Sequence, residues 1–390
     1  MALTLIAAGA LLAWLYLVLL HGRFWRATER LDPAPKPLSS PPAVVAVIPA
    51  RDEAASIGAV VRAHLAADYP GDFSVVVVDD ASSDGTAAIA KASGAAAGGS
   101  ARRVDVIAAR PLEKGWSGKL NAVASGVAAA GAHDPQADYL LLCDGDIVLA
   151  PSTLRRLVAK AEAEGLALVS LMSRLDAREP WGALLIPAFV FFFQKLYPFP
   201  RANDPKSPVA AAAGGCMLVK RAALAAAGGI EAIRGALIDD CALARLLKLA
   251  GGRIWIGLAK EEATSLRDNR RYASVHAMVA RSAFTQLRHS WALLAGCLAG
   301  MALLYLAPAA IAFSYPLHRN EAAATTALAA FLLMSLAYFP TVRLYGMGAA
   351  ATFTLPIAAL LYMAMTLDSA LAHLRGRGGR WKGRIYQEAE

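Results

Sequence analysis

An apolar run that ends in two carboxylates constrains the fold of this chain more than any other feature. Residues 139–143 are Tyr-Leu-Leu-Leu-Cys, and Asp144-Gly145-Asp146 follows directly. Such a run predicts a buried strand, and a strand in an open α/β sheet delivers the residues after its carboxyl end to a ligand crevice. The glycine allows a tight turn that brings both carboxylates near one cation, and oxygen ligands suit Mg²⁺ or Mn²⁺. An acidic turn without a ligand is the alternative interpretation.

The sequence around this run predicts a Rossmann-like α/β domain with a mostly parallel sheet and helices on both faces. Apolar runs rich in β-branched residues alternate with helical patterns that open with capping residues. We predict strands over 44–49, 74–78, 104–108, 139–143 and 217–220, helices from near residues 56, 86, 120 and 239, and a further helix followed by a strand within residues 154–173. The Ala/Gly-rich residues 92–100 predict a helix end and a loop. This order of elements favours ligand binding at the strand carboxyl ends.

Two familiar phosphate-binding motifs are absent from the sequence. The first predicted strand runs into Ala50-Arg51-Asp52-Glu53, where a dinucleotide-binding domain requires GxGxxG, and no GxxxxGK[ST] loop occurs anywhere. A phosphate site must therefore be built in another way, and a cation held by Asp144 and Asp146 is one.

Four apolar segments predict membrane crossings. Residues 2–20 contain no charge, and 291–313, 322–339 and 349–367 are each long enough to span a bilayer. A composition of 57% hydrophobic and 18% charged residues agrees with this. A cleaved signal peptide is disfavoured because no basic residue precedes the first segment. Arg23, Arg26 and Arg30 follow it and predict that this side faces the cytoplasm.

The predicted organisation has five parts, which are an N-terminal transmembrane helix (1–22), a basic, proline-rich linker (23–42), a cytoplasmic α/β domain (43–290), C-terminal transmembrane segments (291–370) and a basic tail (371–390). Three complete C-terminal crossings would leave the basic tail outside, so we expect one of them to cross incompletely. The apolar residues 181–193 predict either an interfacial segment or a buried core helix.

The charge and cysteine content limit the partners and the compartment. A formal net charge of +9 favours anionic lipid headgroups or anionic substrates such as nucleotides. No basic stripe interleaved with aromatic residues occurs, so we expect no nucleic-acid partner. The basic residues from Arg267 to Arg271 bind phosphates or lipid headgroups, or form a solvated juxtamembrane cluster. The four cysteines form no CxxC pair, which indicates a reducing compartment.

Two further stretches carry candidate functional residues. The small residues Ala213-Gly214-Gly215-Cys216 let a backbone approach a ligand, or simply form a tight turn. Asp239-Asp240 begins a helical pattern, where acids cap the helix and complement its dipole. A cleft carboxylate is also what a general base requires.

Taken together, these motifs resemble the family 2 glycosyltransferases of the GT-A fold. The resemblance covers about residues 43–290 and rests on Pro49-Ala50-Arg51-Asp52-Glu53, Asp79-Asp80, Gly115-Trp116-Ser117-Gly118-Lys119, Asp144-Gly145-Asp146 and Asp239-Asp240. More narrowly, residues 213–216, 238–244 and 278–287 are similar to the hopanoid (hopene)-associated membrane glycosyltransferases of bacteria. Ceramide glucosyltransferases share the wider plan.

The resemblance implies a role for each matching residue. Pro49, Ala50, Arg51, Glu53, Asp79 and Asp80 would surround the uracil and ribose of a nucleotide sugar, with Lys119 and Asp144 beside the donor. Asp144 and Asp146 would match the DxD motif, with Asp146 the firmer ligand of Mg²⁺ or Mn²⁺. Asp240 would be the general base, with Asp239 the other candidate. Gly214, Gly215 and Arg281 are candidates for the acceptor or phosphate side.

The sequence departs from the family pattern in two places. The ED motif is Asp239-Asp240, and the QxxRW motif of processive synthases is absent because Ser282 follows Arg281. The missing QxxRW motif favours transfer of a single sugar, and the resemblance implies a UDP-sugar donor and the bacterial inner membrane. Apolar segments on both sides of the α/β domain place the site at the membrane surface, which favours a lipid hydroxyl as the acceptor. A hopanoid or a related lipid is the expected acceptor. A processive polysaccharide synthase and a non-catalytic nucleotide-sugar-binding scaffold remain alternatives.

Overall fold

The computed structural model describes residues 1–96 and 102–376, together with two short strands in the tail. The predicted loop within 92–100 and most of the predicted basic tail lie outside these residues. The chain divides into two compact units. We call Met1–Ala27, Asp176–Pro200 and Asp268–Gly379 the helical unit, and Thr28–Leu175, Arg201–Arg267 and Arg380–Glu390 the sheet unit.

The strands of the described residues are β1 (Val44–Ala50), β2 (Phe73–Asp79), β3 (Val104–Ala108), β4 (Tyr139–Cys143), β5 (Ile147–Leu149), β6 (Leu168–Met172), β7 (Cys216–Lys220), β8 (Ile254–Leu258), β9 (Ala263–Ser265), β10 (Arg380–Trp381) and β11 (Arg384–Ile385). The helices are α1 (Ala2–Leu19), α2 (Ile57–Leu65), α3 (Thr86–Ala96), α4 (Gly118–His133), α5 (Thr153–Glu164), α6 (Pro180–Leu196), α7 (Phe199–Asn203), α8 (Arg221–Ala226), α9 (Asp239–Leu249), α10 (Tyr272–Ala280), α11 (Ala283–Gln286), α12 (Trp291–Met301), α13 (Ala307–Phe313), α14 (Tyr315–His318), α15 (Glu321–Leu344) and α16 (Leu355–Leu374). Short 3₁₀ turns cover Phe24–Arg26, Ile230–Ile233 and Ala349–Thr354.

Within the described part of the chain, the sheet unit is built on seven strands in the order β3-β2-β1-β4-β7-β6-β8. All neighbours run parallel except β7, which is antiparallel to both β4 and β6. The predicted mostly parallel α/β sheet is therefore confirmed, and β7 is its antiparallel strand. The chain moves outward from β1 to β2 and β3 and then returns to the other side of β1 at β4. Ligands bind at such a switch point, and Asp144 follows β4 there.

Burial on both faces explains why the strands are continuously apolar. In β1, Val44, Ala46 and Ile48 join one core cluster, whereas Val45 and Val47 join another. The first cluster includes side chains from α2 and α5, and the second includes side chains from α4 and α9. Helices thus cover both faces, as predicted, and a strand between two such layers needs apolar residues at every position.

The helical unit contains, among the described residues, four helical segments whose length and composition would let them cross a membrane. These are Ala2–Leu19, Trp291–Phe313, Glu321–Leu344 and Ala349–Leu374. They coincide with the four predicted apolar segments, and the third and fourth extend further towards the carboxyl terminus than predicted. The apolar segment 181–193 forms α6, whose Phe191 packs against Trp14 and Tyr338 inside the unit. Its predicted interfacial location stays a prediction.

A π-helical turn at Ala302–Leu306 separates α12 from α13. Pro308 lacks an N–H group, so it cannot donate the usual helical hydrogen bond to the carbonyl group of Leu304. The indole N–H of Trp14 in α1 donates to this carbonyl instead, at 2.8 Å. The Trp14 side chain therefore supplies the hydrogen bond that the Leu304 carbonyl group cannot receive from Pro308.

Candidate active site

A solvent-open cleft with about 320 Å³ of empty space lies in the sheet unit, at the carboxyl ends of β1 and β4. Its polar lining comes from Lys119, Asp144 and Asp239, beside the backbone of Pro49 and Gly214. The other lining residues are apolar, which reduces the screening of the charged groups.

Hydrogen bonds from two neighbouring segments, at Gly215 and at residues 265–266, fix the acidic turn after β4. The amide of Asp144 donates to the carbonyl oxygen of Gly215 at 3.4 Å, and the carbonyl oxygen of Asp146 accepts from the amide of Leu266 at 2.8 Å. The Ser265 hydroxyl donates to Asp146 Oδ2 at 2.8 Å. A Cβ atom at Gly145 would lie 3.2 Å from Glu53 Cγ, so the absence of a side chain lets the turn lie close to Glu53.

Lys119 joins two of the predicted acids. Its Nζ atom lies 2.9 Å from Asp144 Oδ1 and 3.0 Å from Asp239 Oδ2. Lys119 is in the first turn of α4, which Ser117 caps by accepting a hydrogen bond from the amide of Leu120. Burial alone would lower the pKa of Lys119, but the two carboxylates raise this pKa above its ordinary value. The lysine is therefore charged at any physiological pH.

Asp240 accepts hydrogen bonds from backbone amides, whereas Asp239 pairs with Lys119. Its Oδ2 atom accepts a hydrogen bond from the amide of Gly214 at 2.9 Å, and its Oδ1 atom accepts one from the amide of Cys241 at 2.7 Å. Burial, assisted by the charge of Asp239, raises the pKa of Asp240 to about 6. A Cβ atom at Gly214 would lie 3.2 Å from Lys119 Nζ and 3.5 Å from Asp240 Oδ2, so these groups converge.

The segments predicted to bind the nucleoside lie together at the ends of β1 and β2. The amide of Asp80 donates to the carbonyl oxygen of Ala50 at 2.8 Å. The Arg51 guanidinium donates to the carbonyl oxygen of Asp80 and lies 3.6 Å from its Oδ2 atom. Asp79 Oδ2 accepts from the amide of Ser82 at 3.3 Å, and the amide of Glu53 donates to Thr86 Oγ1 at 2.8 Å.

The remaining candidates have separate locations. Gly215 follows Gly214 before β7, and a Cβ atom there would lie only 2.7 Å from Ser173 Oγ. Arg281 follows α10 in the helical unit, and its role stays a prediction.

Two residues lie beside Asp146 whose position there was not predicted from the sequence, Ser265 and Arg267. Ser265 ends β9, a strand of three residues that pairs antiparallel with β5. Arg267, two residues further on, places Nε 3.7 Å from Asp146 Oδ2. A three-residue strand has no recognisable period, so the pattern could not predict this pairing.

The acidic turn supplies two carboxylates, Asp144 and Asp146, of the oxygen-ligand type that a divalent cation takes. The carboxylates of Asp144 and Asp146 each lie beside a positively charged side chain, Lys119 and Arg267 respectively. No group of three or more His, Cys, Asp or Glu side chains suitable for holding a metal occurs among the described residues. Two carboxylates that leave most positions to water or phosphate oxygens are typical of Mg²⁺ and Mn²⁺ sites next to nucleotides.

The mostly parallel sheet, with acidic residues at the switch point and no dinucleotide fingerprint, agrees with the GT-A fold that the motifs resemble. A family model described as glycosyltransferase-like family 2 matches residues 41–288. The chain therefore belongs to this family and is a glycosyltransferase that uses a nucleotide-sugar donor.

The fold is similar to that of a solved mannosyltransferase. The chain is 22% identical to the mannosyltransferase PcManGT from Pyrobaculum calidifontis, solved with GDP-Man and Mn²⁺, with a TM-score of 0.55. That alignment covers 95% of this chain and 99% of the other. Glucosyl-3-phosphoglycerate synthase from Mycobacterium tuberculosis matches at 22% identity and a TM-score of 0.40, covering 63% of this chain and 80% of that one. No curated protein sequence matches the chain.

Proposed function

We propose that the protein is a membrane-bound, inverting glycosyltransferase that moves a single sugar from a UDP-sugar to a lipid hydroxyl. The observation that carries this proposal is that Asp144 and Asp239 meet at Lys119 in one cleft, beside Gly214, whose amide donates to Asp240. These acids come from two stretches far apart in the sequence, the turn after β4 and the start of α9. Simple helix capping would not require the lysine between them.

The donor would lie along the carboxyl ends of β1, β2 and β4. Pro49, Ala50, Arg51, Glu53, Asp79 and Asp80 would hold the nucleoside, with Lys119 and Asp144 beside the diphosphate. Asp144 and Asp146 would hold Mg²⁺ or Mn²⁺, which supplies positive charge to the leaving diphosphate when bound. The Mn²⁺ in the archaeal mannosyltransferase supports this choice of cation.

Asp240 is proposed as the general base. A carboxylate whose pKa is raised to about 6 is still ionised at neutral pH, and it accepts a proton more readily than an ordinary aspartate. It would take the proton of the acceptor hydroxyl as this oxygen bonds to the anomeric carbon and the bond from that carbon to the diphosphate breaks. Attack opposite the leaving group inverts the anomeric centre. Asp239 would hold Lys119 in place.

A lipid acceptor is supported by the four apolar helical segments and by the narrower sequence resemblance. A substrate that diffuses in the bilayer suits an enzyme anchored there. We propose a hopanoid or a related lipid as the acceptor, and the bacterial inner membrane as the location, with the catalytic domain in the cytoplasm. Gly214, Gly215 and Arg281 are proposed for the acceptor or phosphate side. The absence of QxxRW supports one transfer per acceptor.

The proposal is tested with the purified full chain in lipid nanodiscs that contain bacterial lipid extract. Labelled nucleotide sugars are supplied with Mn²⁺ or Mg²⁺, and the lipid products are separated by chromatography. We expect one sugar per lipid, a loss of about 100-fold or more for Asp146→Ala, and donor binding without transfer for Asp240→Asn. Asp68→Ala is the control because Asp68 is an exposed surface residue paired with Arg155.

Three outcomes would contradict parts of this proposal. Retention of most activity by Asp146→Ala would remove the metal-ligand assignment. Normal transfer by Asp240→Asn would move the role of base to Asp239 or elsewhere. A long polysaccharide product would identify a processive synthase.

A further inference from the structure

Arg267 has a defined position beside the acidic turn. The antiparallel β5/β9 ribbon pairs Ile147 with Ser265, and the amide of Leu266 donates to the carbonyl oxygen of Asp146. The amide of Arg267 donates in turn to the Ser265 hydroxyl oxygen at 3.2 Å. This ribbon therefore fixes the backbone of Arg267 relative to Asp146.

The ion pair itself is loose. Arg267 Nε lies 3.7 Å from Asp146 Oδ2, beyond hydrogen-bond distance, and the arginine side chain is 38% exposed whereas that of Asp146 is 10% exposed. No second carboxylate lies within ion-pair distance of Arg267 among the described residues. A partly exposed pair of this kind contributes little to stability, so stability does not explain the placement.

Lys119 and Arg267 hold equivalent positions beside the acidic turn. Each approaches one carboxylate of the same three-residue turn, Lys119 at Asp144 and Arg267 at Asp146. The backbone of the ribbon is constrained while the guanidinium remains accessible, which leaves Arg267 able to exchange Asp146 for another anion.

We propose that Arg267 binds the diphosphate of the donor and of the leaving nucleoside diphosphate. This inference rests on the proposed function of the cleft. If Asp146 held a cation, its charge would no longer balance Arg267, and the donor diphosphate would supply anionic oxygens for the guanidinium to bind. A guanidinium matches phosphate oxygens with two parallel hydrogen bonds, and it keeps its charge at every working pH.

This role has two consequences of opposite sign. Without nucleotide, Arg267 competes with a cation for Asp146, so removing the arginine should strengthen the binding of the bare cation. With the cation present, Arg267 holds the diphosphate, so its removal should weaken nucleotide binding. A residue that only supports the fold would change both affinities in the same direction or neither.

The experiment uses the full chain in detergent micelles, as wild type, Arg267→Ala, Arg267→Lys and Arg270→Ala. Arg270 is the matched control because it lies in the same basic stretch, is exposed and pairs with Asp268. Mn²⁺ binding without nucleotide is measured from the electron paramagnetic resonance signal of free Mn²⁺. Binding of UDP and of GDP at saturating Mn²⁺ is measured by calorimetry.

For Arg267→Ala we expect Mn²⁺ to bind about three- to tenfold more tightly, because a neighbouring positive charge is gone. UDP or GDP, whichever the wild type binds, should bind about 10- to 100-fold more weakly because charge-assisted hydrogen bonds are lost. Arg267→Lys should retain part of the nucleotide affinity, and Arg270→Ala should match the wild type.

Unchanged nucleotide affinity in Arg267→Ala would overturn the inference while leaving the proposed function intact. Weaker binding of both Mn²⁺ and nucleotide would also overturn it, since that pattern indicates a structural role. Should Arg267→Ala fail to fold, a wild-type nucleotide affinity in Arg267→Lys together with unchanged Mn²⁺ affinity would overturn it as well. A wild-type protein that binds neither UDP nor GDP with Mn²⁺ would overturn the proposed function and this inference together.

Discussion

Lys119 is the residue at which three distant segments of the sheet unit meet. Asp144 follows β4, Asp239 opens α9 and Gly214 precedes β7, yet all three lie around one ammonium group. Two carboxylates this close would repel each other without the lysine between them. The lysine therefore balances the charge of the two carboxylates, and in the proposed function it would face the negative charge of the donor.

The raised pKa of Asp240 predicts the pH dependence of transfer. A general base works only when it is deprotonated, so kcat/KM should rise with pH through about 6 and then level off. Because the charge of Asp239 contributes to raising this pKa, Asp239→Asn should move the rising limb to lower pH. The measurement is kcat/KM against pH for wild type, Asp239→Asn and the surface control Asp68→Asn. An unmoved limb in Asp239→Asn would contradict the assignment of the base.

At the scale of elements, the close packing of α4 on the sheet positions Lys119. Gly126 lies in α4 where a Cβ atom would be 2.3 Å from Val47 Cγ1 and 2.8 Å from Val78 Cγ2. Only glycine lets the helix approach β1 and β2 this closely. The amino-terminal turn of α4, which carries Lys119, depends on that approach.

Replacing Gly126 by alanine should destabilise the protein although alanine favours helices. The added methyl group must displace β1, β2 or α4, which costs about 3 kcal/mol at so close an approach, against a gain of about 1 kcal/mol in helix propensity. Gly131→Ala in the same helix is the control, because there the nearest atom is the flexible guanidinium of Arg221 at 3.3 Å. Thermal unfolding followed by intrinsic fluorescence compares the two variants. Equal melting temperatures would show that the packing has room to adjust.

At the scale of the whole molecule, the chain combines the sheet unit with a helical unit assembled from three separated stretches of sequence. The helical unit collects α1, α6 and the helices after residue 268. Its four apolar segments account for the hydrophobic composition, while the strands of the sheet unit are apolar because both faces of the sheet are covered. The same composition thus has two separate physical origins.

The orientation of the linker tests the proposed topology. Ser40 is an exposed residue of the proline-rich stretch, and Ser40→Cys introduces a reactive thiol there. If the linker faces the cytoplasm, as Arg23, Arg26 and Arg30 predict, a membrane-impermeant maleimide should label it only after the cells are lysed. The unchanged chain measures background labelling of the native cysteines. Labelling in intact spheroplasts would reverse the orientation.

Much of the fold was predictable because local patterns encode it. A continuous apolar run such as residues 44–49 predicts a strand that is buried on both faces, and uncharged runs near 20 residues predict membrane-spanning helices. The strands β5, β8 and β9 were not predicted. β5 and β9 have only three residues each, so neither shows the alternation of apolar and polar residues that identifies a strand. The direction of β7 was not predictable either, because a strand's own sequence does not indicate whether it pairs parallel or antiparallel.

The sequence by itself determined the type of sheet, the acidic turn at Asp144 and Asp146, the apolar segments and the family. These follow from hydrophobic periodicity and short motifs, which act over a few neighbouring residues. Only the tertiary structure decided that Lys119 pairs with Asp144 and Asp239, that Gly214 binds Asp240, and that Arg267 approaches Asp146. These contacts join residues on separate strands and helices, so they exist only once the packing of the sheet and its helices has brought those elements together.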